Sequence, residues 1–375
     1  MKAMHIHALA SRRPGERRTA VTPESARRLA ESGHRVTLEP DAGLGSGYDD
    51  PSYAEAGAEI TTGVESDLAV CVEPPEPDHL PASRAILGLL EPFDPSDRLE
   101  KLASGGATCF CFELAPRSSR AQSIDALSSQ ATLAGYQAVL EGAALCDRIL
   151  PMMTTAAGTL RPGKVLVLGA GVAGLQAIAT ARRLGASVSG FDVRAAAAEQ
   201  VESLGASFIA IDMETQDAST AGGYAQQLEE HAETRLLAGL FDHVAAADVV
   251  ITTAAIPGRK APLLVTGEMV AAMRPGSVVI DGSASTGGNC ELTRPGETIV
   301  AEGVTVAGPL DLVSRCANHA SQLYARNVAN FVALLTGDDG ELVIDTDDDI
   351  IAGTMAARDG KIVHEWILRT QGGKS

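Results

Sequence analysis

The strand-like run KVLVL meets Gly169-x-Gly171-x-x-Gly174, then LQAIATARRLG, then a second apolar run that closes on Asp192. Each segment of that pattern has its own chemical use. Gly169 permits a tight turn, Gly171 lets the backbone approach a pyrophosphate, and Gly174 lets a helix pack on the preceding strand. The helix start offers unpaired N–H groups and the positive end of a dipole to phosphate. An acid about 20 residues on accepts from ribose hydroxyls and repels a 2′-phosphate. Together these features predict NAD(H) binding, with Gly169, Gly171, Gly174, Asp192, Val193 and Arg194 as contacts. Arg194, just beyond the acid, keeps NADP as an alternative, and a Rossmann domain without nucleotide is the simpler one.

A second constellation is RSSRAQSIDALSSQ, Arg117 to Gln130. If positions 122 to 129 are helical, Gln122, Asp125 and Ser128 or Ser129 recur at spacings of three and four and share one polar side. That side is either an exposed helix start with Ser and Asp as caps or a surface rich enough in donors and acceptors to hold a ligand. Further along, ADVVITTAAIPG and VVIDGSASTGGNC end strands in small residues. Ligands of open α/β sheets gather at such carboxyl ends, so Ala254 and Asn289 become candidate cofactor contacts, with plain loop chemistry as the alternative. The stretch Met213 to Arg235 places Gly222-Gly223 before Tyr224, which suits either a loop closing over a ligand or a solvated excursion.

The elements that must position these residues alternate regularly. MHIHAL, HRVTLEP, SDLAVCVEP, RAILGLLEP and GATCFCFEL read as strands, and TPESARRLAESG and DPSDRLEKLASG as helices, with Thr22 as N-cap, Pro23 at the first helical position and Gly33 as the stop. A long apolar helix from about Gln130 to Arg148 leads into PMMTTAAGTLRPGK, whose Pro and Gly residues predict a connector between domains. A second alternating series runs from Lys164 to VTVAG, followed by LYARNVANFVALLTG as one long helix and a tail with a β-like KIVHEWIL. The fold class is α/β, with two Rossmann-like, doubly wound parallel-sheet domains, the first discontinuous in sequence. The expected domains are residues 1–130 plus 322–375, and residues 131–321 with the connecting helix.

Bulk properties exclude several functions. A chain of 375 residues suits two domains. Its formal charge of -18 argues against nucleic acid and anionic lipid as partners. Six cysteines without a C-x-x-C pair predict buried free thiols and no metal site, with Cys109 and Cys111 on one face of a strand around Phe110. No signal peptide is expected, and VLVLGAGVAGLQAIATA reads as strand, turn and helix rather than a membrane span. A reduced cytoplasmic setting follows.

Several ordered motifs then carry a resemblance: PGERRTAVTPES, AGLGSGYDDPSYAEAGAEI, PRSSRAQSIDALSSQATLAGYQAVL, FDVRAAAAEQVESLGASF, AGGYAQQLEE, ITTAAIPGRKAPLLVTGEMVAAMRPGSVVID, GGNC and DDDIIAGTMAARDGKIVHE. Over essentially its whole length the chain resembles the soluble NAD-binding portion of the alpha subunit in the proton-translocating NAD(P) transhydrogenases. More distantly it resembles alanine dehydrogenase. The resemblance implies that Arg117, Gln122, Asp125 and Ser128 hold the nicotinamide end of NAD(H), with Gln122 bridging to the second nucleotide, and that Tyr224 is a mobile-loop tyrosine. It implies hydride exchange with NADP(H) on a partner subunit. It also implies a NADP-binding beta subunit, a separate membrane-spanning alpha subunit chain, a homodimer, and peripheral association with the inner membrane through those partners.

Alanine dehydrogenase chemistry needs an acid/base and cations for a carboxylate substrate. By resemblance, Glu91 stands where that family has His, Cys71 and Glu73 where Lys is expected, and Asp281 is followed only by small polar residues; Arg18 is retained. Two departures from the transhydrogenase pattern are Gly282-Ser283-Ala284, where larger residues are usual, and Val313, where Pro is common. A noncatalytic NAD-sensing module is the remaining alternative.

Overall fold

The computed structural model describes residues 3–76, 79, 82–94, 96–211 and 224–372, with the side chains of 224–231 and 371–372 left aside. In chain order the strands are β1 (His5–Ala8), β2 (Arg35–Leu38), β3 (Glu59–Ile60), β4 (Ser66–Val70), β5 (Ser83–Gly88), β6 (Thr108–Cys111), β7 (Met153–Thr155), β8 (Gly158–Leu160) and β9 (Lys164–Leu168). There follow β10 (Ser187–Phe191), β11 (Ser207–Phe208), β12 (Val249–Thr252), β13 (Val278–Asp281), β14 (Thr298–Ala301), β15 (Val304–Ala307), β16 (Met355–Arg358) and β17 (Lys361–Ile362). The chain forms two compact units, residues 1–130 with 313–375 and residues 131–312.

The first unit holds an eight-stranded sheet in the order β17-β16-β6-β5-β4-β1-β2-β3. Strands β1 to β6 pair in parallel, as continuous helix-linked apolar runs require. Because β1 lies beside β4, the strand order reverses between them, and loops after both strands meet at one crevice. Side chains alternate across the sheet: Phe110 packs with Phe112, Tyr324 and Phe331 on one face, while Cys109 and Cys111 pack with Leu102 and Ile367 on the other. The expectation that both thiols share a face is thus met. Burial pushes the Cys109 thiol up to about 12, which leaves it chemically inert near neutral pH.

Local signals act as read in the helix Pro23–Glu31. Thr22 accepts from the Ser25 N–H, Ser25 returns the bond, Pro23 opens the helix, and Gly33 follows with φ of +89°.

The second unit holds a seven-stranded sheet, β11-β10-β9-β12-β13-β15-β14. Here the reversal falls between β9 and β12. Aliphatic cores cover both faces: Val165, Val167, Val249 and Ile251 on one, Leu166, Leu168, Val250 and Val279 on the other.

Several local expectations need correction. The sheets are not wholly parallel: β14 runs antiparallel to β15, and β16 antiparallel to β6 and β17. A reading that looked for strand and helix in alternation did not reveal β14 and β16. KIVHEWIL is not one strand, since β17 stops at Ile362 and a helix, Glu365–Gly372, buries Ile367. The segment predicted as a connector is the exposed hairpin β7-β8 inside the second unit. The chain leaves the first unit at Gln130, within the helix Ala126–Leu145, and returns to it at Val313. The later helix starts at Ala317, ahead of the expected LYAR.

Candidate functional site

In the second unit the residues of the fingerprint sit at the carboxyl ends of β9, β10 and β12, the edge where loops from the reversal point converge. Gly169 adopts φ of +99°, which an L side chain rarely takes. A Cβ there would also lie 2.9 Å from the Ala254 nitrogen. A Cβ on Gly174 would lie 1.8 Å from the Gly169 carbonyl oxygen, so the helix Val172–Arg183 can cross this close only without one. Gly171 caps that helix with no side-chain bond, and a Cβ on it would meet nothing within 4 Å. The first N–H groups of a 12-residue helix thus face open space over the glycine turn.

Asp192 follows β10 and is half-buried. Its Oδ2 accepts from the Ala170 N–H at 2.8 Å, and its Oδ1 accepts from the Arg194 N–H at 2.9 Å. The Arg194 guanidinium folds onto the same carboxylate, Nε to Oδ1 at 2.9 Å and Nη2 to Oδ2 at 3.0 Å. Burial alone would raise this acid, but the bonds from Arg194 and Ala170 outweigh it and hold it below the ordinary carboxylate value. Val193, between them, is 63% exposed, an apolar surface next to the acid. The donor set, the open turn and the ionised acid fit an adenosine diphosphate with a free 2′-hydroxyl.

Ala254 and Asn289 lie on neighbouring loops after β12 and β13. The Thr253 hydroxyl donates to the Gly169 carbonyl at 2.9 Å and ties the first loop to the glycine turn. Asn289 is fully buried, and its side chain is spent on Ala254 and Pro262. Tyr224 opens the helix Tyr224–Ala245, but its side chain, like the stretch 212–223 before it, lies outside the described residues.

In the first unit the stretch Arg117–Gln130 is not one helix. A 3₁₀ turn, Arg120–Ile124, ends at Asp125, whose ψ of 81° breaks the path before the helix Ala126–Leu145 begins. Gln122 and Ser128 therefore do not share a side through helical spacing, and the premise of that expectation fails. What joins Asp125 to Ser128 is a cap: Oδ1 accepts the Ser128 N–H at 2.8 Å and Oδ2 the Ser128 hydroxyl at 2.6 Å. Arg117 and Gln122 are exposed and, among the described residues, their side chains make no hydrogen bond or ion pair.

The turn itself is held by residues the sequence did not single out. Asn327 and Asn330 each donate to the Ser123 carbonyl at 2.9 Å, Ser129 donates to Asn327, and Arg120 pairs with Asp348 and Asp349. No spacing rule could have found them, since 204 and 207 positions separate Ser123 from its two donors.

The reversal point of the first unit is occupied by its own charges. Glu73 Oε1 accepts the Arg12 and Arg13 N–H groups at 2.8 Å each. The Arg13 side chain bridges Glu73 and Glu91, at 3.3 and 2.6 Å, and Arg98 adds a second bond to Glu91 at 3.2 Å. Arg18 is held in a fork by Glu16, at 2.8 and 2.5 Å, and gives its remaining arm to Gln130. Burial pushes Glu16 up, yet Arg18 and the Ser314 hydroxyl overcome it and bring it down to about 2. Glu113, which accepts the Leu90 and Glu91 N–H groups, is pushed by burial up to about 7.

The chain matches two family descriptions in succession: Alanine dehydrogenase/PNT, N-terminal domain, over residues 9–134, and Alanine dehydrogenase/PNT, C-terminal domain, over residues 138–365. It is 43% identical to the first portion of NAD(P) transhydrogenase subunit alpha from Rhodospirillum rubrum, over 96% of this chain and 98% of that one. It is 28% identical to alanine dehydrogenase of Bacillus subtilis, over 95% and 92%. Among solved structures, a transhydrogenase from Sinorhizobium meliloti superposes with a TM-score of 0.85 at 41% identity, covering 96% of this chain and all of that one. An L-alanine dehydrogenase gives 0.78 at 25% identity, covering 99% and 100%. With both halves matched, in order and over nearly the full length, the chain belongs to the alanine dehydrogenase/PNT family.

Proposed function

We propose that this chain is the NAD(H)-binding component of a proton-translocating NAD(P) transhydrogenase, exchanging hydride between NAD(H) on its second unit and NADP(H) on a partner subunit. The observation that carries the reading is the ionised Asp192 beside an open glycine turn, in a chain 43% identical over 96% of its length to the first portion of a transhydrogenase alpha subunit. When bound, NAD(H) supplies the ring that gives or takes the hydride. Direct transfer between two nicotinamides requires no acid or base, only held proximity and orientation. Arg117 and Gln122, exposed and uncommitted, are the groups that meet the nicotinamide end and the second nucleotide. Asp125 and Ser128 fix the start of the helix beneath them. Gly169, Gly171, Gly174, Val193, Ala254 and Tyr224 shape the rest of the cofactor site, and Arg194 yields Asp192 to the ribose.

Among the described residues no helix is long and apolar enough to cross a membrane. The likeness to the first part of a transhydrogenase alpha subunit supports placing proton conduction on partner chains, a membrane-spanning alpha subunit chain and a beta subunit carrying NADP(H), which would hold this chain at the membrane surface. Exposed Leu127, Tyr136 and Leu145 on one helix, and Met152, Met153 and Leu160 around the hairpin, support a homodimer.

The dehydrogenase reading has the weaker support. A 2-oxo acid needs unpaired cations near the strand ends of the first unit, but Arg13 and Arg18 are both taken by glutamates there. The test is reduction of an NAD analogue by NADPH, with this chain alone and with the matching NADP-binding component, beside NADH with pyruvate and ammonium. Transfer only with both chains present is expected. Reduction of pyruvate instead would replace the proposal with an amino-acid dehydrogenase, and NADH binding without either reaction with a sensing module.

A further inference from the structure

We infer that Asp281 is a positioning residue for the nucleotide crevice of the second unit, acting through Asn289 and Ser283 on the peptide of Ala254; the inference rests on the NAD(H) reading above. Asp281 ends β13 with no exposed surface. Its Oδ1 accepts from the Thr252 hydroxyl at 2.9 Å and the Ser283 N–H at 3.0 Å. Its Oδ2 accepts from the Asn289 N–H at 2.8 Å, the Cys290 N–H at 3.0 Å and the Thr293 hydroxyl at 2.6 Å. Among the described residues no cation pairs with it, so five neutral donors stand in for one. The loop is bent to serve this carboxylate. Gly288, at φ of +77°, would bring a Cβ within 2.7 Å of Oδ2.

The donors so fixed present their own side chains to Ala254. Asn289 Nδ2 donates to the Ala254 carbonyl at 2.8 Å and to the Pro262 carbonyl at 2.7 Å, while its Oδ1 accepts the Ala254 N–H at 3.2 Å. The Ser283 hydroxyl adds a second bond to the Ala254 carbonyl at 3.1 Å. Both polar groups of that residue are therefore engaged inside the unit, and Ala254 can meet a cofactor only through its methyl group. The same backbone abuts the phosphate turn, because a Cβ on Gly169 would sit 2.9 Å from the Ala254 nitrogen. The space left by the absent Gly169 side chain is what a released Ala254 would enter. Asp281 thus keeps the turn open through two successive hydrogen bonds and one packing contact.

The test titrates NADH against the full chain and the variants Ser283→Ala, Asn289→Ala and Asp281→Asn, with thermal unfolding and hydrogen exchange of the Ala254 amide followed in parallel. Loss of one neutral hydrogen bond in Ser283→Ala should raise the NADH Kd about 3-fold at an unchanged unfolding midpoint. Asn289→Ala should raise it about 30-fold and speed exchange at Ala254. A merely structural role would lower the folded fraction and kcat together without touching Kd. An unchanged Kd in Asn289→Ala with faster Ala254 exchange, or an unchanged Kd and exchange rate in both Ser283→Ala and Asn289→Ala, would overturn the inference. Asp281→Asn should raise the Kd at least as far as Asn289→Ala; should it not fold, Ser283→Ala and Asn289→Ala decide. If the unaltered chain fails to bind NADH, the functional reading has failed first and takes this inference with it.

Discussion

The two units share one architecture and treat its most useful edge in opposite ways. In each, parallel strands reverse direction at a crevice, between β1 and β4 in the first and between β9 and β12 in the second. The second unit lines that crevice with glycines and an acid whose ion-pair partner, the Arg194 side chain, is 63% exposed. The first fills it with Arg12, Arg13, Glu73 and Glu91, bonded to one another and to the backbone. The same fold is therefore a binding domain in one place and a closed scaffold in the other. Function is decided by what the strand-end loops carry.

The sharpest way to break the contrast is to close the second crevice. Gly174→Ala places a methyl where the Gly169 carbonyl stands, and NADH binding should weaken by about 100-fold or more, read by titration. Retained affinity would mean the glycine turn is not the phosphate site. Opening the first crevice is the converse. Glu16→Gln strands a largely buried Arg18, and should cost the first unit about 3 kcal/mol in urea unfolding. It should confer no reduction of pyruvate with NADH and ammonium. Gln122→Asn probes the exposed turn between these extremes: hydride transfer should fall about 10-fold, about 1.4 kcal/mol, while the NADH Kd stays within about 2-fold.

The smallest effect concerns pH. His7 is buried, and burial lowers its pKa below the usual histidine value; its Nδ1 and the His5 Nε2 share the Thr37 hydroxyl, at 2.8 and 2.9 Å. A histidine whose folded pKa is depressed binds protons more readily when unfolded. Its contribution is complete above its unfolded value near 6.5 and is lost as pH falls through the folded value. Urea midpoints should fall between pH 7.5 and pH 5, and His7→Gln should flatten that slope.

Much of this was legible because the signals are local. The cap Thr22, the stop Gly33 and the glycine turn each act within a few residues, so residue order states the geometry. The hydrophobic runs of β1, β2, β4, β5 and β6 announced a parallel sheet for the same reason. Glu59 and Ile60 did not announce β3, which is two residues long and pairs only at an edge. The tie from Glu16 to Ser314 spans 298 residues and the tie from Ser123 to Asn330 spans 207. No periodicity encodes either. Asp281 was visible as a residue but its role was not, because its partners are mostly backbone N–H groups, which every sequence contains and none advertises.

The fork of Arg194 on Asp192 has a thermodynamic consequence for turnover. In the role proposed for Asp192, a ribose arriving at that carboxylate would exchange partners with the guanidinium instead of adding bonds to a bare acid, so the affinity gained would be the difference between two good interactions. A tightly retained prosthetic group would be poorly served by such competition. A nucleotide that must arrive, react and leave in every cycle is well served, since the arginine that withdraws on entry is at hand to displace the departing product.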